Sequence, residues 1–95
     1  MDYKSKRWKR LRERALMRDN YLCQMSLRYG RHVSADTVHH IFPVREYPEY
    51  QWELWNLISL DGSVHNSMHD RDTDELTDAG RDLMTRTARR LGISL

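Results

Sequence analysis

The sequence predicts a small α+β fold, in which a two-stranded antiparallel hairpin packs against helices. Three observations predict it: an amphipathic basic segment near residue 10, two short segments rich in β-forming residues, and a segment with helical spacing after the second of these. With 95 residues, the chain is expected to form one domain. No apolar run approaches the roughly 18 residues that a membrane-spanning helix needs, and no signal-peptide pattern opens the chain.

The first predicted helix covers residues 5 to about 19. Trp8, Leu11 and Ala15 recur at helical spacing and form one apolar stripe. Residues 4–18 contain eight lysines and arginines and one glutamate, a net charge of +7 in a chain whose total is +2. Such a concentration of positive charge is the electrostatic footprint of a polyanion binder. The same pattern also fits a helix whose charges only keep it soluble.

The middle of the chain alternates between turns and short β-type segments. The predicted elements are, in order, a loop or knuckle over residues 21–31 that ends at Gly30, a strand over 36–42 closed by Pro43, a short helix from Pro48 through Trp55, and a second strand over 57–60. Trp52 and Trp55 are three residues apart in this stretch, and we expect both to lie in the core rather than to stack on bases.

Two helices are predicted after the second strand. Asp61 or Ser63 caps the first of them, which carries His65 and His69 and ends near residues 72–74. The last helix is predicted to run from a cap at Thr77 to a stop at Gly92, with an apolar face made of Leu83, Met84, Ala88 and Leu91.

Four of the five histidines form the most informative pattern in the chain. His39 and His40 are adjacent on the first predicted strand, and His65 and His69 are four residues apart after the second strand. Two histidines at this spacing share one face of a helix and can chelate a single ion. A hairpin packed on that helix would bring His39 over the same face. Neutral imidazoles suit zinc, nickel, cobalt or copper better than magnesium.

The fourth histidine of the pattern, His40, is a candidate general base. Adjacent side chains on a regular strand point to opposite faces, so His39 and His40 can share a site only if one sits at a strand end or bulge. A histidine beside a metal, rather than on it, can accept a proton from water at neutral pH. Paired histidines can equally be satisfied core residues. The basic helix favours the metal site, because both features suit a phosphate substrate.

These residues resemble the HNH endonuclease family, and small phage-type members in particular. The elements that carry the resemblance are Val38-His39-His40-Ile41, Asn56 with Leu57, and His65 with Asn66, followed by His69. The resemblance covers roughly residues 5–80. It implies a treble-clef-like ββα-metal core at about residues 36–74 in a single nuclease domain over residues 1–95, with the basic helix before it and a C-terminal helix at about 77–91 behind it.

The resemblance also implies roles for individual residues. His39, His65 and His69 would bind one divalent metal ion, and His40 would be the general base that activates water. Asn56 would brace the loop between the strands and keep the base oriented, a task that suits a buried amide because it offers both donors and an acceptor.

One departure from the family concerns the two Cys-x-x-Cys knuckles that hold a structural zinc in many phage-type members. The corresponding stretches read Cys23-Gln24-Met25-Ser26 and Asp61-Gly62-Ser63-Val64. Because Cys23 is the chain's only cysteine, we expect no four-cysteine structural zinc and no intrachain disulfide. Cys23 is then expected to be a small buried apolar residue.

The sequence thus predicts a metal-dependent DNA endonuclease that nicks DNA or cuts it with weak sequence specificity. The ion could be zinc, nickel, manganese or magnesium. The residues expected to hold the DNA backbone are Lys6, Arg7, Lys9, Arg10, Arg14 and Arg45. The resemblance suggests a phage or prophage origin and a location in the cytoplasm of the bacterial host. It also suggests phage packaging or replication proteins as partners. No membrane association is expected.

Two other functions fit the same residues. A non-catalytic DNA-binding domain with a structural metal would have a closed site with four protein ligands, whereas a catalytic site keeps open positions. A helical interaction domain with coincidental histidines would have no metal affinity. RNA stays open as an alternative substrate.

Overall fold

A two-stranded antiparallel sheet lies at the centre of the computed structural model, which describes all 95 residues. The elements are α1 (Lys6–Arg18), α2 (Gln24–Arg28), β1 (Thr37–His40), two 3-10 turns (Pro48–Tyr50 and Leu54–Asn56), β2 (Leu57–Leu60), α3 (Gly62–Asn66) and α4 (Asp78–Leu91). His39 pairs with Ile58, and His40 pairs with Leu57. This is the α+β architecture that the sequence predicts. None of the helices is both long and apolar enough to cross a membrane.

The two faces of the sheet pack against different parts of the chain. Val38 and Leu57 face α1 and share a core with the buried stripe of that helix, which consists of Trp8, Leu11, Ala15 and Leu16. The opposite face contributes Ile58 and Leu60 to a second core, which also contains Cys23, Ile41, Phe42, Met68, Leu83, Met84 and Ala88. All four residues of β2 are buried, as expected of a strand that is covered on both faces.

Helix α1 is fixed to the sheet by polar as well as apolar contacts. The Ser5 hydroxyl caps the helix by accepting a hydrogen bond from the Trp8 N–H. Arg12 donates to the Asp36 carbonyl oxygen at 3.0 Å. Arg18 donates to the carbonyl oxygens of Leu54 and Leu57 at 2.8 and 2.6 Å. Two of the basic side chains counted in this segment therefore hold the fold together.

Asp19, the residue that follows α1, ties the helix to the middle of β2. Its carboxylate accepts hydrogen bonds from the Ser59 N–H at 3.0 Å and from Arg18 at 2.8 Å, and the residue is 8% exposed. Burial alone would raise the pKa of Asp19, but the hydrogen bonds from Arg18 and Ser59 outweigh burial and lower it. The fold therefore favours the charged carboxylate.

Asp19→Asn is expected to lower the free energy of unfolding by about 2 kcal/mol at neutral pH, because an amide replaces a charged hydrogen-bond acceptor. The folded-state pKa of Asp19 lies below the unfolded one. Its contribution is therefore present above the unfolded pKa of about 3.9 and is lost as the pH falls through the folded value. Urea unfolding of both proteins at neutral pH and at pH ~3 measures the effect. A difference in stability that stays constant down to the lower pH would contradict the assignment.

The segment before β1 is more regular than the sequence predicts. The prediction of a loop was wrong for Gln24–Arg28, which form the five-residue helix α2 directly after Cys23. Cys23 is fully buried, and its sulfur accepts a hydrogen bond from the Ser26 hydroxyl at 3.4 Å. Gly30 adopts a φ of +75°, which closes the turn after the helix.

The predicted helix from Pro48 through Trp55 was also wrong, because the chain forms two separate 3-10 turns there. Glu53, between them, has an extended backbone with a ψ of 123°. The break leaves the Gln51 carbonyl oxygen without a backbone donor, and that oxygen lies 3.1 Å from Nε2 of His40 instead. Trp55 packs against Phe42 in the core, as predicted.

Helix α3 ends at Asn66, so the prediction that His69 lies on this helix was wrong. His69 instead pairs with Leu76 in an isolated β-bridge. The helix ends in a tighter turn, because the N–H groups of Ser67 and Met68 donate to the carbonyls of Val64 and His65, three residues back, at 3.0 Å each. Beyond that turn, the Thr77 hydroxyl donates to the Ser67 carbonyl at 2.6 Å and the Thr77 N–H donates to the Met68 carbonyl at 2.9 Å, which holds this segment against the start of α4.

Helix α4 begins and ends where the sequence predicts. Thr77 caps it by accepting a hydrogen bond from the Gly80 N–H, and Gly92 ends it with a φ of +72°. One residue of the predicted apolar face was wrong, since Leu91 is 41% exposed. The left-handed turn at Gly92 brings Ile93 onto the core in its place.

Candidate metal centre

Three histidines from three different elements meet beside the sheet. The ring centroids of His39 and His65 and those of His39 and His69 are 5.2 Å apart, and those of His65 and His69 are 5.4 Å apart. One ring nitrogen from each of the three lies within 4.8 Å of the other two. We call these residues the histidine cluster. The β-bridge between His69 and Leu76, rather than a longer helix, therefore places His69 beside His65.

His39, at the centre of the histidine cluster, has the properties of a metal ligand. Its Nε2 is buried and has no hydrogen-bond partner, whereas buried polar atoms are normally paired. Burial, reinforced by His65, His69 and His40, lowers the pKa of His39 from 6.5 to about 3. The imidazole is therefore neutral at physiological pH, and a neutral imidazole nitrogen can bind a divalent cation.

The other two members of the cluster are held by hydrogen bonds of their own segments. Nδ1 of His69 lies 3.2 Å from the Asp74 carbonyl oxygen. Because a carbonyl oxygen only accepts, Nδ1 carries the hydrogen and Nε2 keeps its lone pair. His65 lies on α3, whose cap is the Asp61 carboxylate, which accepts a hydrogen bond from the Ser63 N–H at 2.9 Å. Burial, followed by the neighbouring His69, lowers the pKa of His65. The three imidazoles can each offer one ring nitrogen to the same divalent ion.

Gly80→Ala is expected to disturb this cluster from outside it. A Cβ at residue 80 would lie 2.5 Å from the Met68 carbonyl oxygen and 2.8 Å from a methyl carbon of Leu76. Met68 directly precedes His69, and Leu76 is the residue that pairs with His69 in the β-bridge. The clash should lower the free energy of unfolding by about 1–3 kcal/mol and weaken metal binding. Thermal unfolding and calorimetric metal titration measure the two effects.

Gly62→Ala is the matched control for this change. The nearest atoms to a Cβ at residue 62 are the Asp36 carboxylate oxygens at 3.7 Å, an ordinary contact. This variant should keep both its stability and its metal affinity. If both variants lost the same stability and metal affinity, the Gly80 effect would come from replacing a helical glycine in general. It would then not come from the close approach of the Met68 carbonyl.

His40 is the last residue of β1 and turns away from His39. Its ring stacks on Trp8, with centroids 5.1 Å apart and planes 22° apart. The carbonyl oxygen of Gln51 can only accept from Nε2, so Nε2 carries the hydrogen and Nδ1 keeps a lone pair. Burial lowers the pKa of His40, and the Gln51 contact opposes this shift in part. From the strand end, His40 lines a cleft of about 720 Å³ that His65 and His69 also line.

Asn56 lies behind the site and is fully buried. Its Oδ1 accepts from the Phe42 N–H at 2.7 Å, and its Nδ2 donates to the carbonyl oxygens of Phe42 and Tyr50, each at 3.1 Å. The amide uses donors and acceptor to join the segment after β1 to the turn that precedes Gln51. Asn56 is not among the residues that line the cleft. Its contacts hold two backbone segments together behind the site.

No family model matches the chain, and no curated protein matches it. Among solved structures, the chain is similar to the HNH endonuclease of the deep-sea thermophilic bacteriophage GVE2, which was crystallised with a manganese ion. The two are 38% identical over 67% of this chain and 70% of that chain, with a TM-score of 0.65. The chain belongs to the HNH endonuclease family. Together with the histidine cluster, HNH membership supports a nuclease that depends on a divalent metal.

The basic residues predicted to hold DNA are all exposed in this HNH protein; they are Lys6, Arg7, Lys9, Arg10 and Arg14 on α1, with Arg45 after β1. The guanidinium of Arg7 lies over the ring of Trp52, 3.9 Å from its centroid. Arg45 lines the cleft and lies 3.9 Å from the Asp74 carboxylate. The outer face of α1 is thus positively charged, whereas Arg45 shares the cleft with the carboxylates of Glu46, Asp74 and Glu75.

Sequence reasoning missed three neighbours of His40 in this HNH fold: Trp8, Tyr3 and the carbonyl group of Gln51. The apolar stripe of α1 predicts that Trp8 is buried, but the stripe does not say which residue lies opposite it. A backbone carbonyl carries no signal in the sequence at all. No pattern in the chain could have identified these contacts.

Proposed function

We propose that the chain is an endonuclease that depends on a divalent metal and hydrolyses DNA phosphodiester bonds. Residues 1–95 act as one nuclease domain. This domain nicks DNA or cuts it with weak sequence specificity. One observation carries the proposal: His65 and His69 of the histidine cluster line the same cleft as His40, and the cluster is the group of side chains that could hold a metal ion. The likeness to the bacteriophage GVE2 HNH endonuclease supports the same activity.

His39, His65 and His69 would hold the ion. When bound, the ion supplies positive charge to the phosphate and stabilises the oxygen that leaves it. Because the three ligands are neutral, none of that charge is cancelled by the protein. The grouped ligand set has three members, which favours a catalytic site with open positions over a structural site with four protein ligands.

His40 would act as the general base. Its Nδ1 takes a proton from a water molecule in the cleft, and the water oxygen attacks phosphorus as the bond to the 3′ oxygen breaks. The hydrogen on Nε2, held by the Gln51 carbonyl, keeps the lone pair on Nδ1. The lowered pKa of His40 keeps the ring neutral, and therefore able to accept a proton, at physiological pH.

The exposed basic side chains of α1 and Arg45 at the cleft would hold the DNA backbone. Lys and Arg contacts to phosphates supply affinity and fix orientation, but they carry no sequence information. The helix face is free of acidic residues except Glu13. Contacts of this kind are consistent with weak sequence specificity.

Relaxation of supercoiled plasmid tests the proposal. The chelated protein should be inactive, and adding back Mg²⁺, Mn²⁺, Ni²⁺ or Zn²⁺ one at a time should restore cleavage with at least one of them. Open circles that accumulate before linear DNA would indicate nicking. Tight DNA binding without cleavage in any metal would instead favour the non-catalytic DNA-binding domain with a structural metal.

A further inference from the structure

We propose that Trp8 is a positioning residue that sets the plane of the His40 imidazole. The proposal rests on the proposed role of His40 as the base. The indole and the imidazole are stacked at 5.1 Å with planes 22° apart, although Trp8 belongs to the basic helix and His40 to the sheet. Trp8 is 5% exposed, so its ring is itself held in place by packing.

Two contacts are needed to orient an imidazole completely. The hydrogen bond from Nε2 to the Gln51 carbonyl fixes the direction of one ring atom. The ring could still rotate about that bond, and such a rotation would swing Nδ1 away from the attacking water. Stacking on the flat face of Trp8 removes this rotation. The direction of the Nδ1 lone pair is therefore determined by the two contacts together.

A third ring completes the arrangement. Tyr3 packs edge-on against Trp8 with centroids 5.4 Å apart and planes 87° apart, and its ring lies 6.3 Å from that of His40. Tyr3 and His40 both line the cleft. The stack links the base to α1, whose outer face carries the residues proposed to hold DNA. The helix that grips the backbone and the ring that orients the base are thus parts of one rigid element.

The test compares Trp8→Leu, which removes the flat ring, with Trp8→Phe, which keeps one. At saturating metal and DNA, Trp8→Leu should slow single-turnover cleavage by about tenfold or more, because misplacing a catalytic group costs rate rather than binding. Its Kd values for DNA and metal should stay unchanged. Trp8→Phe should restore most of the rate. Cleavage by Trp8→Leu at the wild-type rate would overturn the proposal.

Leu11→Ala is the matched control, since Leu11 is buried one turn further along the same helix and belongs to the same core. It should lower the melting temperature but keep the cleavage rate. If Leu11→Ala slowed cleavage as much as Trp8→Leu, the effect would reflect loosening of the helix, and the positioning role would be rejected.

A measurement independent of activity separates this proposal from the proposed nuclease function. In NMR spectra of the zinc-loaded protein, the ring protons of His40 should be shifted upfield by the indole above them, and His40→Gln assigns their signals. The shift should vanish in Trp8→Leu and partly return in Trp8→Phe. An unchanged shift in Trp8→Leu would refute the stacking. A protein that shows these shifts but never cleaves DNA would refute the nuclease function instead.

Discussion

His40→Ala is expected to abolish DNA cleavage while it leaves the metal affinity unchanged. The ring lies on the opposite face of β1 from His39, and the histidine cluster does not include it. Loss of a general base typically costs about 10²–10⁴-fold in rate. Plasmid nicking under metal saturation measures the rate, and calorimetric titration of the chelated protein measures the metal affinity.

The control for this change is His32→Ala. His32 is exposed and lies outside both the cluster and the cleft, so its loss should affect neither measurement. Loss of metal binding in His40→Ala would show that His40 is a ligand rather than the base. Full cleavage by His40→Ala would remove it from the mechanism.

His65→Ala is expected to weaken metal binding by about 100-fold or more and to abolish the rise in melting temperature that the metal causes. His65 lies on α3 at the edge of the cleft and is only half-buried, so its replacement leaves no large cavity in the core. His39 is a poorer choice for this test, because it is 2% exposed and its loss would damage packing as well.

The measurement compares melting temperatures of wild type and His65→Ala with metal and after chelation. Without metal the two proteins should melt at similar temperatures. With metal only the wild type should gain stability, since a ligand that binds the folded state stabilises it by about 2.7 kcal/mol at a hundred times its Kd. An equal gain in both proteins would place the ion somewhere other than at the histidine cluster.

The parts of the fold that could be predicted are those with a local cause. The stripe of Trp8, Leu11 and Ala15 marks α1, the run Leu57–Leu60 coincides with β2, and the cap at Thr77 marks the start of α4. In each case the residues that determine the element lie inside it or next to it. The family resemblance rested on the same local motifs, and comparison with a solved HNH endonuclease confirmed it.

The path of the chain at His69 could not be predicted, because its cause lies elsewhere in the sequence. The spacing of His65 and His69 fits a helix, yet His69 pairs with Leu76 in a β-bridge, and Thr77 binds the carbonyls of Ser67 and Met68 on either side of that path. The continuous helix expected after Pro48 failed for a similar reason, since the Gln51 carbonyl accepts from His40 rather than from a helical N–H. Contacts between distant residues overrode local preference at both places.

The hydrogen bonds of Arg12 and Arg18 change the number of charges that α1 can offer to a polyanion. Of the seven basic side chains in α1, these two already donate to carbonyl oxygens or to Asp19. Only five are left to displace the cations that condense on a DNA duplex. Each neutralised phosphate adds about 0.9 to the exponent with which affinity falls as salt rises, so α1 can contribute an exponent of about 4.5 at most. Under the proposed function, α1 would therefore bind DNA with moderate affinity that weakens as ionic strength rises, which would help the enzyme release the strand after cleavage.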